Sequence, residues 1–120
     1  MTNRDLYNDD ASHPIPYVNV LDIRGDRKDG GIDLVIVVAP PLKADERSIR
    51  RVVQKMRNYL GFAKLEKGND EWKPVRIIVD INADSDEVAL KYLSDCSGWV
   101  SDNGAELIVR VVKRDTSKKY

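Results

Sequence analysis

The chain has one cysteine, Cys96, and one histidine, His13, in 120 residues. A lone thiol excludes an internal disulfide framework and fits a reducing compartment. A lone imidazole removes most histidine-based metal and acid–base sites, and the sequence offers His13 no partner set for a nucleophilic triad. There is no excess of either charge: Lys plus Arg is 20 and Asp plus Glu is 20. Chains that wrap nucleic acid usually carry net positive charge, so this balance argues against that role while leaving room for a local patch. Long apolar runs are also missing. The longest, Leu34 to Pro41, is far short of the roughly 20 residues a membrane span needs. The opening MTNRDLYNDD has no apolar stretch that could serve as a secretory signal. No glycine-rich phosphate loop occurs. Trp72 and Trp99 stand apart and make no stacking platform for bases.

What is present suits one soluble domain: 42% apolar and 33% charged residues in a length typical of a single core. Residues 1–16, polar, acidic and closed by His13-Pro14-Ile15-Pro16, read as a flexible lead-in. Residues 17–114 read as a single α/β domain and 115–120 as a flexible tail. Tyr17 to Arg24 has the branched and aromatic content of a half-buried strand. After the Gly30-Gly31 turn, Ile32 to Ala39 is nearly continuous apolar sequence, as a central strand would be, and Pro40-Pro41 stops it.

Ile49, Val52, Val53, Met56, Tyr59, Leu60 and Ala63 form one stripe of a helix from Asp45 to Ala63. Val75 to Asn82 alternates as a third strand. A second helix runs from about Ser85 to Asn103, with Asp84 and Glu87 at capping-box spacing and Gly98 marking a possible break. Ala105 to Lys113 closes the fold. The expected fold class is α/β: a two-layer sandwich with a four-stranded mixed sheet in ββαβαβ order and both helices on one face. Sheet order 1-2-3-4 is the first choice and a permuted order the second.

The phrases IDLVIVVAPPL, MRNYLGFA, PVRIIVDIN, KYL and GAELIVRVV together resemble a family of small bacterial α/β domains of unknown function. Its members share a helix ending Asn-x-Tyr-Leu-x-Phe, matched here by Asn58 (shifted by one), Tyr59, Leu60 and Phe62. The likeness spans about residues 18 to 112. It implies the fold and transfers no catalytic residue.

Three constellations remain. Asp80, Asp84 and Asp86, with Asn82 and Glu87, lie where a parallel strand meets a helix, an edge where ligands often bind. Their oxygens would suit Mg²⁺ or Ca²⁺ in a metal-assisted hydrolase, although Ser85 and Lys91 break the calcium-loop pattern. Helix capping explains Asp84, Asp86 and Glu87 without a metal. The second constellation is a basic outer face on the first helix, Arg47, Arg50, Arg51, Lys55 and Arg57, which could meet nucleic acid or simply be solvated. From Lys43 to Lys67 eight basic and three acidic residues give +5; from Asp80 to Glu106 one basic and seven acidic give −6. Two opposed blocks cancel.

The third is the sheet face opposite the helices, where alternation places Val35, Val37, Ile78, Ile108 and Val112 among Arg76, Asp80, Glu106 and Arg110. An apolar strip rimmed by charge is an interaction surface unless the lead-in, through Ile15 and Tyr17, folds across it. Cys96, on the apolar stripe of the second helix, reads as an inert thiol. The expectation is therefore a non-enzymatic bacterial protein of the cytoplasm, without a cofactor or membrane partner. It would bind another protein in an immunity or antitoxin-like role, or itself as a weak homodimer. Nucleic-acid binding and metal-assisted hydrolysis are the alternatives.

Overall fold

The computed structural model of the chain describes residues 10–68 and 73–113. The elements are β1 (Ile23–Asp26), β2 (Ile32–Val38), α1 (Glu46–Lys67), β3 (Val75–Asn82), α2 (Glu87–Asp95), α3 (Ser97–Asp102) and β4 (Glu106–Val112). Four strands form one mixed sheet in the order β1-β2-β3-β4; β1 runs antiparallel to β2, and β2, β3 and β4 are parallel.

Glycine makes the hairpin possible. Gly30 takes φ +88°, a left-handed value that side chains resist, and a Cβ on Gly31 would collide with the Arg27 guanidinium. The two central strands then alternate. Leu34, Ile36 and Val38 of β2, with Ile77, Val79 and Ile81 of β3, share one core with Val52, Met56, Tyr59, Leu60 and Ala63 of α1. Ala89 and Leu93 of α2 and Val100 of α3 join the same cluster. The other face of each strand takes no part in that core.

Several boundaries differ from expectation. α1 starts where its Asp45 cap accepts from the Ser48 amide at 2.7 Å, but it runs four residues beyond Ala63. The second helix starts at Glu87, not Ser85, with Asp86 as its N-cap and no side-chain cap bond. Asp84 instead donates its amide to Asn82 Oδ1 in a turn, so no capping box forms. The break falls at Cys96, two residues before Gly98, and divides the helix into α2 and α3.

The largest corrections are at the start of the chain. Residues 17–22 are not strand, and β1 begins only at Ile23. Residues 10–16, expected as flexible lead-in, are packed: Ile15 is 1% exposed and belongs to the core. Residues 1–9, Trp72 and the expected tail lie outside the described residues.

Candidate interaction surface

Residues 13–22 have little ladder pairing, so their backbone groups need other partners. One stripe of α1 supplies them. Arg51 Nε and Nη2 donate to the Ile15 carbonyl at 3.0 and 2.8 Å, and Nη2 reaches Pro16 O at 3.3 Å. Lys55 Nζ donates to Tyr17 O at 2.7 Å and to Asp22 Oδ1 at 2.8 Å. Asn58 donates to Val18 O at 3.0 Å. Tyr59 Oη accepts from the Asp22 amide and donates to Val35 O, each at 2.8 Å, while Asp22 Oδ2 accepts from the Val37 amide. Asp22 and Tyr59 thus cap the part of the β2 edge that the short β1 leaves free. Burial pushes the Tyr59 hydroxyl well above the usual phenol range, so it remains a donor.

This stripe corrects the basic-face expectation. Arg51 and Lys55 are 0% and 1% exposed, so they serve the fold and not solvent. Of the remaining three, Arg47 pairs with Asp10, Arg50 with Glu46, and Arg57 lies 5.9 Å from the centre of the Trp99 ring. The periodicity of α1 put Arg51 and Lys55 outside its apolar stripe. Only the carbonyls of a distant segment draw them inward.

His13, for which the sequence offered no triad partners, makes two hydrogen bonds. The Ile15 amide donates to Nδ1 at 2.9 Å, so the neutral ring carries its proton on Nε2 and donates it to Ser48 Oγ at 3.1 Å. Asp45 accepts from the Ser48 backbone amide at 2.7 Å. The residue types are those of a nucleophilic triad, but the proton sits on the wrong nitrogen. A general base must accept from the serine, and this imidazole donates to it. With Ser48 only 3% exposed, the trio is a tether for the N-terminal segment.

The acidic string does not converge. Asp80 accepts two hydrogen bonds from the Arg110 guanidinium, and the Asp86 carboxylate accepts from the Ala44 amide at 2.9 Å. Among the described residues no group of three or more His, Cys, Asp or Glu side chains could hold a metal ion. Cys96 is half-buried, and burial raises its thiol above the ordinary value, which disfavours the thiolate. It lines a shallow hollow of about 410 Å³ with Val53, Arg57, Tyr92, Asp95 and Trp99.

The sheet face opposite the helices is built in rows across the strands. Ile23, Val35, Ile78 and Ile108 are in register as one apolar row. On one side lies the row Asp33, Arg76, Glu106; on the other lies Val37, Asp80, Arg110. Asn82 and Val112 form the next row beyond. Arg76 grips Asp33 with two bonds of 2.8 Å, and Arg27 adds a third at 3.1 Å. The Arg76 guanidinium holds the Asp33 carboxyl below the usual carboxylate range.

Val35 is 7% and Ile78 4% exposed although no described helix lies over them. Arg76 and Arg110, paired with Asp33 and Asp80, stand in the rows on either side of them. The row opens at its ends: Ile23 is 52% exposed and Ile108 is half-buried. Residues 10–22 do not cross this face, since their bonds run to α1 on the core side.

No family model, curated protein or solved structure matches the chain. Nothing in these comparisons supports the expected likeness of residues 18 to 112 to a small bacterial family. No helix among the described residues is long and apolar enough to cross a membrane.

Proposed function

We propose that the chain is a non-enzymatic protein-interaction domain of the bacterial cytoplasm, built as a two-layer ββαβαβ sandwich with its broken second helix counted once. It binds through the sheet face opposite its helices. One observation carries this reading: the apolar row of Ile23, Val35, Ile78 and Ile108 lies between two rows of ion pairs, and no described element covers it. An apolar centre inside a charged rim is the anatomy of a protein–protein contact. Blocking a toxin, as an immunity or antitoxin protein does, and pairing with itself are the two forms of the role that suit its size and charge. The nucleic-acid and hydrolase alternatives lack their constellations among the described residues, because Arg51 and Lys55 are buried and the carboxylates of Asp80 and Asp86 are committed elsewhere.

Photo-crosslinking tests the reading. A benzophenone side chain at Ile108 in the full chain, activated in cells that make the protein, should yield an adduct of defined mass. The same group at Val88, 68% exposed on α2, should not. Equal adducts at both positions, or none at Ile108, would contradict it.

A further inference from the structure

Resting on that reading of the open face, we propose that its partner is a second copy of this chain, stacked face to face about a two-fold axis along the row Ile23, Val35, Ile78, Ile108. Charge and strand overlap together favour this arrangement. Rotation about that axis lays each strand over its own copy, running the opposite way, and exchanges the two outer rows. On β3, Arg76 then faces Asp80 of the partner subunit; on β4, Glu106 faces Arg110 of the partner subunit. Symmetry repeats both contacts, giving four unlike pairs, while on β2 Asp33, already held by Arg76, faces Val37 of the partner subunit. An in-plane axis along β3 sets Arg76 over Arg76, Asp80 over Asp80 and Asp33 over Glu106. Each of those contacts is repulsive. An axis midway between β3 and β4 would also set Arg76 over Glu106 and Asp80 over Arg110, but it leaves β1 and β2 without a counterpart, so only the axis along the row joins unlike charges and overlays all four strands.

Size sets the strength. Four strands about 4.8 Å apart, over five residues rising about 3.3 Å each, cover roughly 300 Å² per subunit. A standard stable interface buries about 800 Å² on each partner. The dimer is therefore weak and concentration-dependent. Antiparallel pairing of the outer β4 edges would also bring Glu106 near Arg110 of the partner subunit, so the test must tell face from edge.

Sedimentation of the full chain should show a monomer–dimer equilibrium at high concentration. Glu106→Arg and Arg110→Glu are exposed changes on β4; the second also removes the Asp80–Arg110 pair, so the fold of each variant is verified by circular dichroism. Each should lower the association constant on the order of tenfold, and the two together should restore it to within about threefold. With Cys96→Ser in the background, Ile23→Cys should be joined to its copy by a short bismaleimide, since Ile23 lies on the proposed axis. In an edge dimer the two β1 strands would lie at opposite ends of the joined sheet. A monomer at every concentration, single variants without effect, stronger association by Glu106→Arg, or a dimer with no Ile23→Cys crosslink would each overturn the proposal. The photo-adduct at Ile108 separates the two claims. An adduct that is not twice the 13.6 kDa chain overturns self-docking and keeps the interaction surface; absence of a position-specific adduct overturns both.

Discussion

The one histidine of the chain shows how far residue type alone can mislead. Read in sequence, His13 is an isolated ring in a polar lead-in; folded, it accepts from Ile15 and donates to Ser48, fastening that segment to α1. Burial, and then the Arg51 and Arg47 guanidiniums, lower its pKa below the ordinary 6.5, against the opposing pull of Asp10 and Asp45. Protonation would also require Nδ1 to stop accepting the Ile15 amide. The folded ring thus holds its proton more weakly than the unfolded one. Its contribution to stability is complete above about pH 6.5 and is lost as pH falls through the folded value. An NMR titration should find the His13 midpoint below 6.5, with hydrogen exchange at the Ile15 amide rising over the same interval; a midpoint at or above 6.5 would contradict the tether. Arg51 and Lys55 carry the same lesson. Their spacing of four was legible, but their burial depends on carbonyls more than thirty residues away in the chain.

At the scale of elements, periodicity was the dependable signal. The stripe from Ile49 to Ala63 located α1, and alternation in Val75 to Asn82 located β3, because each pattern is local and repeats over several turns or pleats. Where a single cue stood in for a pattern, boundaries moved. Branched residues in Tyr17 to Val20 suggested strand, yet side chains of α1 satisfy that backbone and no ladder forms. Asp84 had capping spacing but went to a turn with Asn82. Gly98 flagged a break that the chain places at Cys96. The open face was legible from alternation alone, whereas its ion-pair rows needed the register between strands. α1 also carries an avoidable weakness. Gly61 is exposed in its interior, and a Cβ there meets nothing within 4 Å. Gly61→Ala should stabilise the fold by about 1 kcal/mol in urea denaturation. Unchanged or lower stability would mean that this turn of α1 is held by something other than helix propensity.

For the molecule as a whole, zero net charge conceals a division of labour. The basic block on α1 is largely spent on the N-terminal segment and on neighbouring side chains. Asp80 of the acidic block is paired with Arg110 on the open sheet face. The described helices pack their apolar residues against one face of the sheet, and no described element lies over the other. The central claim is that the sheet face opposite the helices is where it binds. Isoleucine methyl resonances report on it directly, because Ile23, Ile78 and Ile108 lie on the open row while Ile36, Ile77 and Ile81 point into the core. As the concentration of the full chain is raised, the methyls of the open row should shift and broaden together while the core methyls hold still. Shifts confined to the exposed side chains of α2 or the outer edge of β4, or no shift at any concentration, would contradict it.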